Sequence, residues 1–217
     1  MTVELELKYL LRDAATGDRL VAADRHGPFT AAGQVRTIQH EDRYVDTSDG
    51  ALARAGFAAR LRTAQGWTLI SMKSNAGPAA GDPLHRRQEL EGPATRTLDP
   101  RAWPPSPARS LILELCGDAP LLELVTVRQL RRRRELLDGD FVAAELSVDE
   151  VDVVARGRVV DRFAELEVEL VGGGEARLAE LARVFANDPE LTPASGSKLE
   201  TALRIASPAP ASSGGAR

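Results

Sequence analysis

Glu4, Glu6 and Lys8 alternate with Leu5, Leu7 and Tyr9 along the segment VELELKY. An extended chain sends successive side chains to opposite faces, so the three charges leave from one side and the three apolar groups from the other. The same division recurs at Arg60/Arg62, Arg87/Glu89/Glu91, Arg132/Arg134 and Glu165/Glu167/Glu169, the last set interleaved with Leu166, Val168 and Leu170. One such strand is an ordinary solvated face. Five of them, with their apolar faces packed outward against helices, would turn carboxylates, lysines and guanidiniums into one shared interior. Buried charges are tolerable only when paired or bound to a ligand or metal. Arginine and lysine clamp phosphate oxygens, and carboxylates hold Mg²⁺ or Mn²⁺, which bridges to the same phosphates. The predicted chemistry is therefore the binding of a polyanion together with a divalent cation in a wet tunnel.

The elements that must position these groups are mostly strands. Extended segments are predicted at 3–9, 34–46, 57–64, 67–74, 85–91, 122–137, 140–149, 151–156 and 158–171, separated by Gly, Asp-Gly and Gln-Gly punctuation. Gln65-Gly66 and Arg156-Gly157 read as tight hairpin turns. Helices are predicted at 12–24, 107–117, 175–186 and 197–205, and the proline-rich stretch 92–107 as a surface loop. The fold class is α+β: an eight-stranded antiparallel β-barrel with helices packed outside, since closure removes exposed strand edges. One domain is expected over 1–206, with a disordered tail at 207–217, SPAPASSGGAR.

The chain has 217 residues and a formal charge of −4. That balance gives no reason to expect nucleic acid as a partner. No run of about 18 apolar residues predicts a membrane span, and no leader segment is evident, so a cytoplasmic protein is expected, monomeric or homodimeric. The single cysteine, Cys116, reads as a buried, inert thiol. His26, His40 and His85 lack metal-ligand spacing, and Trp67 and Trp103 read as packing residues. Of 28 basic residues only Lys8, Lys73 and Lys198 are lysines, and each falls within one of the motifs that follow.

Taken in order, those motifs resemble the CYTH superfamily, the triphosphate tunnel metalloenzymes. Glu4-x-Glu6-x-Lys8 is similar to its first-strand signature, Tyr44-Val45-Asp46-Thr47 to its Tyr-x-Asp-Thr segment, and Arg60-x-Arg62 to its Arg-x-Arg pair. Met72-Lys73, Arg87-Gln88-Glu89, Glu145 with Asp149, Glu165-x-Glu167-x-Glu169 and Ser197-Lys198 resemble later motifs in the same order. Arg132-Arg133-Arg134 resembles the basic strand, though the run from 131 to 134 leaves two registers open. DPLHRRQELEG and the stretch from AELEVELVGG to GSKLETA look most like the bacterial inorganic triphosphatase branch.

The resemblance implies metal-dependent hydrolysis of inorganic triphosphate (tripolyphosphate) to pyrophosphate and phosphate. Arg60, Arg62, Lys73, Arg87, Arg132, Arg134 and Lys198 would cradle the triphosphate or polyphosphate, with Arg131 and Arg133 exposed. Lys8 would position the attacking water or the scissile phosphate. Glu4 and Glu6 would hold Mg²⁺ or Mn²⁺ with Glu167 or Glu169, and one carboxylate would orient the water. Glu89, Glu145 and Glu165 would support arginines or hold a second metal, and Asp46 would be structural. Thiamine triphosphate hydrolysis, adenylate cyclisation and polyphosphate binding without turnover remain alternatives on the same scaffold.

Overall fold

The computed structural model describes residues 2–75 and 81–206. Eight antiparallel strands form a closed ring: β1 (Thr2–Leu11), β6 (Leu84–Pro93), β5 (Trp67–Ser74), β4 (Phe57–Ala64), β3 (Phe29–Asp46), β7 (Leu122–Asp138), β8 (Phe141–Ala155) and β9 (Arg158–Leu170), which pairs back onto β1. Two short strands lie off the ring, β2 (Arg25–His26) on β3 and β10 (Leu191–Pro193) on β1. Among the described residues there are five α-helices: α1 (Ala14–Ala22), α2 (Ala51–Arg54), α3 (Pro107–Cys116), α4 (Ala176–Phe185) and α5 (Lys198–Ala206). None is long and apolar enough to cross a membrane.

The predicted strands 140–149 and 151–156 are one strand, β8, because Glu150 simply continues the alternation and no turn residue breaks it. β3 starts at Phe29, five residues earlier than expected, pairing with β7 across an irregularity between Ala32 and Arg36. The proline-rich stretch carries the end of β6 and a 3₁₀ turn at Pro100–Ala102. Both two-residue turns form with positive φ: 44° and 89° at Gln65-Gly66, 52° and 74° at Arg156-Gly157, the left-handed pair that matches strand twist. The expected tail at 207–217 lies outside the described residues.

Outward-facing apolar residues account for two of the three cores. Leu7, Tyr9, Leu146, Val148, Leu166 and Val168 meet Leu20 of α1 and Leu178, Leu181 and Phe185 of α4. Val45, Leu61, Ile70 and Met72 meet Leu52 of α2, Ile112 of α3 and Trp103. Burial of each such side chain contributes roughly 1.5–3 kcal/mol, which obliges the charged alternates to face inward. Trp103 packs as predicted, whereas Trp67, at the end of a hairpin, is exposed. Cys116 is only half-buried, and burial raises its thiol pKa.

The third core lies inside the ring. Tyr44, Val125, Val127, Val151 and Val153 share their strand faces with Asp42, Gln129 and Asp149, and they pack against Leu199, Ala202 and Leu203 of α5. The last helix therefore occupies one end of the ring and presents Lys198, at its first turn, to the charged interior.

Candidate active site

The charged faces converge on a cavity of about 220 Å³. Among the described residues its wall holds Lys8, Arg60, Arg62, Lys73, Arg87, Arg131 and Lys198 together with Glu4, Glu89, Glu91, Glu167 and Glu169, with apolar surface from Ala58, Leu199 and Tyr44. Glu6 is buried between Lys8, 3.6 Å away, and Arg87, which donates to it. Lys73 Nζ lies 2.5 Å from Glu4 and 3.4 Å from Glu89. β1 and β9 meet with Glu6 opposite Glu169 and Lys8 opposite Glu167, so both acidic strands and the Glu-x-Glu-x-Lys lysine share one wall.

The arginine run takes the register opposite to that predicted. Arg131 faces inward, donating to Asp149 at 2.7 and 2.6 Å and also to Glu167, and Arg133 pairs with Glu145 on the same face. Arg132 points outward to Asp18 of α1 and to Glu150, and Arg134 donates to the carbonyls of Ala23 and Ala31, the former just past the C-terminal end of α1. Neither reaches the cavity. The physical cause lies in Leu136, which belongs to the outer core and sets Arg134 and Arg132 on its own face. Leu137 is equally apolar, so the sequence carries no parity signal there.

Glu145 and Glu165 share the inner face without lining the cavity. Glu165 is fully buried, 3.5 Å from Lys198, and neither carboxylate oxygen has a hydrogen-bond partner among the described residues. Desolvation raises its pKa, only partly offset by Lys198 and Lys8. Burial alone would lower the Lys8 ammonium, but Glu167 and Glu6 outweigh it and hold Lys8 protonated. Asp46 is structural, accepting from the amides of Thr47, Leu52 and Ala53 and so capping α2.

Two inner residues were missed by the sequence reading. Asp42 is completely buried on β3 and accepts from Arg62 twice at 2.8 Å, from Arg60 at 3.3 Å and from Gln129 at 2.7 Å. Its two guanidiniums outweigh desolvation and hold its carboxyl well below the ordinary range. The alternation His40, Asp42, Tyr44 is the signal that could have found it. Gln129, on β7, continues the face of Arg131 and carried no charge to mark it.

A hard divalent cation takes oxygen ligands, chiefly carboxylates. Glu169 has no ion-pair partner among the described residues, and desolvation followed by repulsion from Glu4 and Glu6 pushes its carboxyl up to about 7. An under-neutralised carboxylate facing two others fits such a cation. The described residues contain no ready-made cluster of three ligands, because Glu4, Glu6 and Glu167 are each turned onto lysine or arginine. Loading would exchange those partners.

Among solved structures, the chain is similar to a candidate adenylyl cyclase, HpAC1, from Hippeastrum that shows a dominant triphosphatase activity, at 18% identity and a TM-score of 0.65 over 93% of this chain and 95% of that one. It is also similar to a candidate adenylate cyclase from Bacillus halodurans, at 18% identity and a TM-score of 0.54 over 93% of this chain and 98% of that one. At these identities the likeness establishes the fold. No curated protein sequence matches significantly. The sequence pattern of the CYTH domain matches residues 2–203, nearly the whole chain and every charged strand described above, and the chain belongs to the CYTH domain family.

Proposed function

We propose that the protein hydrolyses inorganic triphosphate to pyrophosphate and phosphate with Mg²⁺ or Mn²⁺. The observation that carries this reading is the cavity itself. At about 220 Å³ it falls below the roughly 300–1,000 Å³ typical of pockets for drug-sized ligands. Its seven cationic side chains and predominantly polar wall suit a compact polyanion better than one bearing a base or thiazole ring. The triphosphatase activity of the Hippeastrum protein on the same fold supports the reaction class.

Phosphoryl transfer needs in-line positioning and neutralisation of charge spread over phosphate oxygens. Arg60, Arg62, Lys73, Arg87, Arg131 and Lys198 supply the neutralising donors, Arg131 replacing Arg132 and Arg134 in the role predicted for that strand. Lys8, held protonated, positions the scissile phosphate or the attacking water and is not itself a base. Glu4, Glu6, Glu167 and Glu169 would hold the cation, which when bound shields the phosphates and lowers the pKa of water. A neighbouring carboxylate orients that water, and Glu89 holds Lys73. The same proposal places the protein in the cytoplasm, as a monomer or homodimer without nucleic acid as partner.

The test is steady-state phosphate release from tripolyphosphate, ATP and thiamine triphosphate with each metal. The reading requires the highest kcat/KM for tripolyphosphate. A preference for thiamine triphosphate, or formation of cyclic AMP from ATP, would transfer the site to one of the other two reactions. Tight binding without cleavage of any of the three would make the protein a polyphosphate-binding module.

A further inference from the structure

The two cavity arginines from β4 are held from behind. Arg62 spends Nε and Nη2 on Asp42, and Arg60 spends Nε on Ser71 Oγ at 2.9 Å and Nη1 on Asp42 at 3.3 Å. A guanidinium carries five N–H donors, so each arginine keeps three N–H groups for the cavity, including both on Nη1 of Arg62 and both on Nη2 of Arg60. With Gln129 Nε2 as its fourth donor, Asp42 accepts four hydrogen bonds, one on Oδ1 and three on Oδ2. Asp42 and Gln129 line no part of the cavity. They are positioning residues.

The orientation of the Gln129 amide is imposed from the opposite side. Lys198 Nζ donates to Gln129 Oε1 at 2.7 Å, and it also reaches Asp149 at 2.5 Å. Lysine has only donors and Asp42, when ionised, only acceptors. A residue between them must therefore accept on one side and donate on the other, which an amide of this length does. Turned around, Gln129 would set its carbonyl against the Asp42 carboxylate and its NH₂ against the Lys198 ammonium. All three groups are buried, where such a mismatch is costly.

The geometry points to a relay, Lys198–Gln129–Asp42–Arg60/Arg62, through which seating of α5 in the ring sets the arginine pair. Lys198 belongs to the same helix whose Leu199, Ala202 and Leu203 fill the inner apolar core. Helix docking and orientation of the anion clamp are thus one event: when α5 withdraws, the Gln129 amide loses the partner that fixes it, and Asp42 loses its fourth donor. For the identity of the anion, this inference rests on the triphosphatase reading.

The Nε–H resonance of Arg62 in ¹⁵N-labelled protein reads the relay without substrate. In the wild type it should exchange slowly with water. In Gln129→Met and in Lys198→Met it should shift and exchange at least about tenfold faster, the signature of local opening, and the double variant should add nothing further. If Lys198→Met leaves the resonance unmoved, the relay is overturned, even where Gln129→Met moves it. Gln129→Glu keeps the Lys198 partner and removes the donor to Asp42, and it replaces Gln129→Met should that variant fail to fold. In turnover, the relay requires a raised KM for tripolyphosphate with kcat nearly unchanged in Gln129→Met. A purely structural role would lower Tm and kcat and leave KM alone, which also overturns the relay. Failure of the wild type to bind tripolyphosphate defeats the functional reading instead, and the resonance still decides the relay.

Discussion

Lys8 Nζ lies 2.7 Å from Glu167 Oε1 across the seam where β1 meets β9, so the ion pair that spans the closure of the ring also stands in the wall of its cavity. Breaking one partner of a buried pair leaves an uncompensated charge, at a cost of about 3–5 kcal/mol, although Arg131 and Lys198 remain beside Glu167 and reduce that figure here. Lys8→Met should therefore lower Tm by several degrees and abolish turnover. The double variant Lys8→Met/Glu167→Gln should regain part of the stability and none of the activity. Calorimetry with a phosphate-release assay separates the two effects.

The arginine run gives a second prediction. Arg131→Gln should raise KM for tripolyphosphate roughly ten- to a hundredfold, the worth of a charge-assisted contact of about 1.5–3 kcal/mol. Arg132→Gln, which loses only Asp18 and Glu150 on the outer surface, should leave KM within about twofold, as expected for a partly exposed pair. Equal effects from the two would contradict the register.

His40 is buried, with its Nε2 lacking a partner among the described residues, and burial, reinforced by Arg62, lowers its pKa to about 3. An unfolded histidine titrates near 6.5. Between those values the unfolded chain binds a proton that the folded chain refuses, so the His40 contribution to stability falls as pH drops below about 6.5. The loss should reach about 2 kcal/mol by pH 5. Asp42 has the same sign for a different reason. Its folded pKa is depressed, so its contribution is present above the unfolded value near 4 and is lost only in stronger acid. Glu169, pushed up to about 7, acts in the opposite sense over the same range, so the test is the difference between chains: from pH 7.5 to pH 5, urea unfolding should show the wild type losing about 2 kcal/mol relative to His40→Gln.

Removing the divalent cation should stop turnover and leave the fold intact, because Glu4, Glu6 and Glu167 already have lysine and arginine partners. Circular dichroism after chelation should be unchanged while phosphate release ceases, and Mg²⁺ or Mn²⁺ should restore it. Glu169→Gln should weaken Mn²⁺ binding, followed by calorimetry, by at least an order of magnitude.

The ring and many of its inward residues were legible because period-two alternation is clear in β1, in β4 around Arg60 and Arg62, and in β9 from Ala164 to Leu170. In each of these stretches an apolar face leaves a single choice of direction for Glu6, Arg60 or Glu167. Legibility failed where both faces carry the same kind of residue. Arg131 through Arg134 followed by Leu136 and Leu137 offer no parity, and packing of Leu136 beneath the helices settled what the pattern could not. Asp42 and Gln129 escaped for another reason: their importance lies in whom they touch across β3, β4, β7 and α5, contacts separated by as many as 87 residues in sequence. The Ser197-Lys198 motif brought the last helix to the cavity, but the seating of its apolar face within the ring was not legible, because an amphipathic helix reads alike whether it lies on a ring or within it.

Under the proposed function, the carboxylates of β1 and β9 convert an anion clamp into a hydrolase. The most direct measurement is ³¹P NMR of tripolyphosphate with Mg²⁺, using wild type and Glu4→Gln/Glu6→Gln. The wild type should release one pyrophosphate and one phosphate per tripolyphosphate consumed, and the variant should bind the substrate but leave it intact. Cleavage by the variant at the wild-type rate, or wild-type protein that binds tripolyphosphate with Mg²⁺ or Mn²⁺ and never cleaves it, would rule out that role for the carboxylates.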